Sequence, residues 1–325
     1  MRPPIACLGA GRMGRGIAVV FAFAGHDVVV VDFKQRNADA AARLATQAYD
    51  EIRGTLEVLS RIGLLQAKDI PTIAARVTVV PKDDAGAALA QAGVIFEGVP
   101  EVLDLKRAAL DEASRQADPQ AIIASTTSTI LVDELSDSVQ GPERFLNAHW
   151  LNPAFLVPLV ELSPGVRTQP DVVARLKALL EAIGKVPVVC SASPGYIVPR
   201  IQALAMNEAA RLVEEGVATA EEIDKAIKFG FGFRFAVLGI LEFIDWGGGD
   251  ILYYASRYLT EALDHPRYAA PDIIERNMRE GHIGLKTRRG FLNYEGVDLE
   301  AYREERLAAF ASLLRGFGLA REPVL

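Results

Sequence analysis

Cysteine is scarce in this 325-residue chain: only Cys7 and Cys190 occur, too few for a disulfide framework. The longest apolar runs, such as Val28 to Val31 and Ile17 to Ala24, stop well short of the ~20 residues a membrane span needs. Positive charge is in deficit, since 35 Lys plus Arg against 42 Asp plus Glu leave a net charge of −7. No long basic run supplies the field that nucleic acid requires. These shortages argue against membrane, DNA and RNA partners, and no metal is expected. The opening Met1-Arg2-Pro3-Pro4 leads straight into a strand pattern with no signal-peptide core, so the expected location is cytoplasmic and reduced. What is present fits a globular protein: 50% hydrophobic and 24% charged residues exclude a disordered chain, and the length suggests about two domains.

Strand and helix patterns alternate through the first half. Ile5 to Leu8, Val28 to Val31, Val77 to Val80, Val94 to Phe96 and Ile122 to Ala124 read as short buried strands. Ile17 to Ala24, Asn37 to Ile62 and Asp104 to Ala117 read as helices between them, with Pro71 expected as a break. Further strands are expected at Phe145 to His149, Leu156 to Leu162 and Val186 to Cys190, with a helix from Asp171 to Ile183. Such alternation is the signature of a parallel α/β sheet. After Ser193-Pro194-Gly195 the pattern turns helical, at 197–215, 220–229, 251–263, 271–280 and 299–317, while the Gly- and Phe-rich stretch from Phe229 to Trp246 resists assignment. The expected organisation is therefore an α/β domain over 1–190 and an all-α domain over 191–325.

The first strand runs into Gly9-Ala10-Gly11-Arg12-Met13-Gly14 and then a helix, with Asp32 ending the second strand. In that setting Gly9 makes a tight turn, Gly11 lets backbone approach a pyrophosphate, and Gly14 lets helix and strand pack closely. The helix N-terminus offers free N–H groups to phosphate, with Arg12 and Met13 beside it. Asp32 can accept hydrogen bonds from a ribose and would repel a 2′-phosphate, which favours NAD over NADP. Lys34 and Arg36 lie close enough to leave some NADP activity open.

Among the histidines, His26, His265 and His282 read as surface polar groups, whereas His149 stands at the end of a strand near the carboxyl edge of the sheet, where ligands of such folds bind. Glu161, twelve residues on, sits in the apolar run Val157 to Leu162, where an unpaired carboxylate would cost several kcal/mol. It needs a partner.

Several segments in order resemble the L-3-hydroxyacyl-CoA dehydrogenase family: Gly9 to Gly14, Phe96 to Lys106, Ser125 to Thr129, His149 to Pro153, Pro158 to Glu161, Pro194 to Val198, and Lys286-Thr287 with Gly290-Phe291. The resemblance implies a Rossmann-like, mostly parallel α/β domain that binds NAD, followed by an all-α domain that forms a homodimer, with the active site between them. It implies His149 as general base, Glu161 as its orienting partner, and Ser128 and Asn152 near substrate and nicotinamide. Glu101, Lys106 and Lys286 would line the cofactor side. Oxidising a secondary alcohol sends hydride to the nicotinamide and the hydroxyl proton to a base, a task that suits imidazole. In reverse, protonated His149 and the Ser128 hydroxyl would polarise a keto oxygen. Ser128 has a purely structural alternative, a helix cap.

Two departures bear on substrate. Pro199 stands where the family has an Asn of the substrate site, so that amide contact is absent. The segment Gly230 to Gly239 resembles the branch containing L-gulonate 3-dehydrogenase, lambda-crystallin and carnitine dehydrogenase, whose substrates are free 3-hydroxy acids. Arg234 within it could clamp a carboxylate, or form a structural ion pair. A short-chain L-3-hydroxyacyl-CoA is the favoured substrate, a free 3-hydroxy acid the alternative, and a non-catalytic crystallin-like NAD binder a third reading.

Overall fold

A computed structural model describes residues 2–324. They form two compact units, one ending at Ala205 and one starting at Met206, with the division inside helix Val198–Glu214.

The first unit is built on an eight-stranded sheet of order β3-β2-β1-β4-β5-β6-β7-β8. The strands are β1 Ile5–Leu8, β2 Val28–Asp32, β3 Val77–Pro81, β4 Val94–Glu97, β5 Ile122–Ser125, β6 Phe145–Trp150, β7 Leu159–Pro164 and β8 Val186–Val189. Every pairing is parallel except β6 with β7, which is antiparallel and sets His149 opposite Glu161. Apolar side chains fill both faces, as a sheet covered on two sides requires. Helices Arg12–Phe23, Ala38–Arg61 and Pro170–Ala182 bury Phe21, Leu56 and Leu176 against Cys7, Val30 and Phe96 on one face. Helices Ala85–Gln91, Leu103–Gln116 and Val132–Ser136 bury Leu89, Leu110 and Leu135 against Leu8, Ile95 and Phe145 on the other.

The side-chain period of two places Leu146, Ala148 and Trp150 of β6 in the first of these cores. Asn147 and His149 therefore share the opposite face with Phe145. That parity delivers one imidazole to the carboxyl edge of the sheet while its neighbours anchor the strand.

Several local expectations are corrected. Pro71 does not break the chain but sits in the first turn of helix Ile70–Ala74, where a missing N–H costs nothing. Strand β7 begins at Leu159, not Leu156. The short helices Ala85–Gln91 and Val132–Ser136 carry no side-chain cap in front of them and were not expected. The stretch after Phe229 resolves into a π-helical turn, Ile227–Phe231, followed by helices Gly232–Phe235 and Ile240–Gly247.

The second unit continues with helices Gly249–Ala262, Asp272–Glu280 and Leu299–Gly316. Its described residues hold only isolated bridges, Gly284 with Arg289 and Arg289 with Asn293, in place of a sheet. Buried Asp245 fastens the bridged segment by accepting the backbone N–H groups of Phe291 at 2.9 Å and Leu292 at 2.8 Å. No described helix in either unit is long and apolar enough to cross a membrane.

Phe21, with no exposed surface, lies 5.5 Å from the Phe96 ring and 6.2 Å from Trp150, directly behind β6. Phe21→Ala should lower unfolding stability by about 3–5 kcal/mol through lost burial and the cavity left behind. Urea denaturation checks this, and an unchanged midpoint would show that these rings are not packed as described.

Candidate active site

The order of the sheet reverses between β1 and β4, which opens a crevice at their carboxyl ends. The turn after β1 is shaped by close contacts. Gly9 has φ +99°, and a Cβ there would lie 2.8 Å from the carbonyl oxygen of Gly98 after β4. At Gly14 a Cβ would lie 2.1 Å from the carbonyl oxygen of Gly9, so only glycine lets the helix start this close to the strand. Gly11 differs: it is the N-cap of helix Arg12–Phe23, and the space its Cβ would enter is empty. An open cradle in front of free helix N–H groups fits a pyrophosphate. A cavity of about 750 Å³ extends from it, lined by Gly9, Gly11, Asp32, Phe33, Gly98 and Val99. It is large enough for the adenosine half of a dinucleotide, and Asp32, 5% exposed, ends β2 beside it with Arg36 bonded to its Oδ2. Arg12 is exposed at the helix start and Met13 is half-buried behind it.

Past β4, two carboxylates organise the next loops. Glu97 has no exposed surface; it accepts from Lys106 Nζ at 2.9 and 3.1 Å, from the Val99 N–H at 2.7 Å and from the Ser125 hydroxyl. Lys106 is itself 1% exposed and also donates to Val99 O at 3.1 Å, so it braces the cofactor-side loop from behind. Glu101 Oε1 gathers the Ser128 N–H at 2.9 Å, the Thr129 N–H at 3.1 Å, the Thr129 hydroxyl at 2.9 Å and the Thr127 hydroxyl. Ser128 is exposed at the tip of this loop and caps no helix, the next N-cap being Leu131.

His149 and Glu161 meet across the antiparallel pair. Nδ1 of His149 lies 2.8 Å from Glu161 Oε2, with the two residues 4% and 0% exposed. Glu161 Oε1 accepts the backbone N–H groups of Ile197 and Val198, each at 2.9 Å. Those donors belong to the start of helix Val198–Glu214, whose positive end suits a buried anion. With Nδ1 engaged, Nε2 of His149 has no protein partner among the described residues and is the nitrogen left for a substrate. The Tyr196 ring lies parallel to the imidazole, 4.8 Å away and tilted by 5°. Asn152 is exposed just beyond the end of β6.

The remaining candidates lie elsewhere or do other work. Lys286 and Arg234 belong to the second unit. Lys286 is exposed, 3.9 Å from Asp250; Arg234 is exposed over the Phe243 ring at 5.5 Å, with no carboxylate paired to it among the described residues. His26 is not the surface group expected but buried, its Nδ1 2.9 Å from Pro3 O. His265 caps the Arg267 N–H at 3.1 Å, and His282 lies 3.2 Å from Glu280. Neither cysteine suits nucleophilic chemistry: burial pushes the Cys7 thiol up to about 12, and burial together with the Glu161 charge raises Cys190. Sequence reasoning gave no role to Glu97 or Tyr196. Glu97 carried a usable signal, a lone carboxylate ending the apolar run Val94-Ile95-Phe96; Tyr196 carried none.

A family model described as "3-hydroxyacyl-CoA dehydrogenase, NAD binding domain" matches residues 4–193, and "3-hydroxyacyl-CoA dehydrogenase, C-terminal domain" matches residues 195–294. The 5-formyl-3-hydroxy-2-methylpyridine 4-carboxylate 5-dehydrogenase of Mesorhizobium japonicum is 32% identical over 96% of this chain and 98% of its own. The 3-hydroxybutyryl-CoA dehydrogenase of Bradyrhizobium diazoefficiens is 33% identical over 90% of this chain and 96% of its own. Among solved structures, the 3-hydroxyacyl-CoA dehydrogenase of Archaeoglobus fulgidus superposes with a TM-score of 0.76 at 29% identity, covering 98% of this chain and 100% of that one.

The Glu101 network carries a pH dependence. Burial alone would raise its carboxyl, but the Thr127 hydrogen bond, the Lys106 ammonium and Thr129 together hold it below the ordinary value. Its contribution to stability is therefore whole above the unfolded Glu value, about 4.3, and is lost as pH falls through the lower folded value. Glu101→Gln should lower Tm at neutral pH, and the gap to wild type should close in acid. Thermal melts across pH check this; a constant gap would remove the network from the account.

Proposed function

The chain belongs to the 3-hydroxyacyl-CoA dehydrogenase family, and from that premise we propose that it interconverts a short-chain L-3-hydroxyacyl-CoA and its 3-keto partner with NAD. The observation that carries the reading is the buried His149–Glu161 pair, joined at 2.8 Å with the second imidazole nitrogen left without a partner among the described residues. A nicotinamide dinucleotide, when bound, supplies the hydride acceptor, and the open cradle at Gly11 together with Asp32 fits one.

In the oxidative direction Nε2 of His149 takes the proton of the substrate hydroxyl as hydride leaves the same carbon. The imidazolium so formed faces the Glu161 carboxylate through Nδ1, which holds the ring in one orientation and offsets the new charge. In the reductive direction the same nitrogen returns the proton to the 3-keto oxygen, with the Ser128 hydroxyl and the Asn152 amide as polar neighbours at the loop tips. Glu101 and Lys106 keep the Ser128 loop in place. Asp32 favours NAD, and because Arg36 neutralises part of its charge, discrimination against NADP is weaker than a lone carboxylate would give.

A second reading, a free 3-hydroxy acid as substrate, is favoured by Pro199 in the place of an amide and by Arg234, exposed without a carboxylate partner among the described residues. The relative from Mesorhizobium japonicum, named for a pyridine carboxylate, lends it weight.

Steady-state NADH oxidation with acetoacetyl-CoA against free 3-keto acids separates the two substrates, and silence on both would count against each. Glu161→Gln and His149→Ala should each lower kcat by about 10²–10⁴-fold, the usual span for loss of acid–base catalysis. Binding of NADH, followed by fluorescence, should stay within about twofold of wild type, since neither residue touches the glycine cradle. Full turnover in Glu161→Gln would dismiss the pair.

A further inference from the structure

Tyr196 has no part in the chemistry just described, yet three segments of the first unit meet on it. Gly195 and Tyr196 are consecutive residues in left-handed backbone, with φ +75° and +47°. For a large aromatic residue that conformation is uncommon and strained, so it persists only where surrounding contacts fix it. The contacts are specific. The hydroxyl donates to Thr127 O at 2.9 Å and accepts from Asn147 Nδ2 at 3.1 Å. The ring stacks on His149, and the next two backbone N–H groups hold Glu161.

We propose that Tyr196 is a positioning residue that fixes the plane of the His149 imidazole and locks it to the Ser128 loop. This rests on His149 being the base. A single hydrogen bond through Nδ1 pins one edge of the imidazole but lets the ring tilt about that bond. A parallel ring at 4.8 Å blocks the tilt, so Nε2 keeps one direction. Once the imidazole is protonated, a phenol face is also an attractive neighbour for the cation. The hydroxyl extends the lock in two directions. Through Thr127 O it reaches the residue before Ser128, and through Asn147 it reaches the residue two before His149 on the same face of β6. Base and loop hydroxyl, which must address the same substrate oxygen, thus keep a constant separation. Burial raises the Tyr196 phenol well above its ordinary value, so it stays a donor to Thr127 throughout any practical assay range. At 6% exposure Tyr196 has little surface to offer a substrate, which sets it apart from a catalytic residue.

Two variants separate the ring from the hydroxyl. Tyr196→Phe keeps the stack and loses the lock, whereas Tyr196→Leu loses both. Each is assayed for kcat, for KM of NADH and of the 3-keto substrate, and for the low-field proton NMR resonance of His149 Nδ1–H, assigned by its absence in His149→Gln. In Tyr196→Phe, kcat should fall about three- to tenfold with KM for NADH unchanged and the resonance retained, as expected of a small misplacement. In Tyr196→Leu, kcat should fall about a hundredfold and the resonance should shift or broaden. Wild-type kcat and an unchanged resonance in both variants would overturn the proposal, as would losses confined to Tm. If wild-type protein transfers no hydride to any substrate tried, the reading of His149 as base fails instead. The resonance in Tyr196→Leu then decides alone whether Tyr196 fixes the imidazole.

Discussion

A carboxylate with no exposed surface, Glu161, constrains this site more than any other group. Removing such an anion from water costs several kcal/mol unless its lone pairs are filled. Three donors fill them, and they come from two separate pieces of chain: the imidazole on β6 and two backbone N–H groups at the start of helix Val198–Glu214. All three converge only if β7 runs antiparallel to β6 with Glu161 directly opposite His149. A slip of one residue would set Val160 or Leu162 against the imidazole and turn the carboxylate into the core formed by Phe21, Phe96 and Trp150. A reversal of direction at β7, which β8 then follows in parallel, is therefore the requirement that this pair imposes on the fold.

The same device recurs at the reversal of strand order. Glu97, also without exposure, is satisfied by Lys106, Ser125 and the Val99 N–H, and so ties the end of β4 to the end of β5. Buried ion pairs add little to stability when set against apolar residues of equal volume, but breaking one is costly. Their effect here is to leave the loops at the carboxyl edge a single low-energy arrangement. Glu101 continues the chain outward, from Lys106 to the Ser128 loop, and Tyr196 continues it from that loop to His149. Cradle, loop and base are linked in series by hydrogen bonds, by the Lys106–Glu101 ion pair at 3.3 Å and by the Tyr196–His149 ring stack, an arrangement that would suit a reaction moving hydride and proton at neighbouring atoms.

Much of this was legible in the residues, for reasons that differ from element to element. The glycine cradle and Asp32 could be read because each is decided within one strand–turn–helix unit. Glu161 stood out because a lone acid in an apolar strand is an energetic anomaly, and Glu97 carried that same anomaly without being assigned a role. The reversed direction of β7 was not read, although the connection carried the signal: only residues 151–158 join β6 to β7, shorter than the roughly dozen residues a parallel crossover needs. Tyr196 was hidden for another reason: its hydroxyl partners lie 49 and 69 residues away, and Pro194-Gly195-Tyr196 reads only as a break. Helices Ala85–Gln91 and Val132–Ser136 escaped because they are short and lack the capping side chains that mark a start.

Pro199 leaves this framework undisturbed. It occupies the second position of helix Val198–Glu214, where a backbone N–H has no intrahelical acceptor and proline is well tolerated. The two N–H groups that Glu161 needs belong to the residues just before it, so proline takes nothing from the buried carboxylate. An amide side chain at this position would add two donors and an acceptor beside the site, and proline removes them at almost no structural cost. On the proposed reading, proton transfer is held by β6, β7 and the helix start, whereas recognition of the rest of the substrate falls to side chains that the fold leaves free to vary. A thioester and a free acid would then present the same secondary alcohol to His149 and differ only in what lies beyond it.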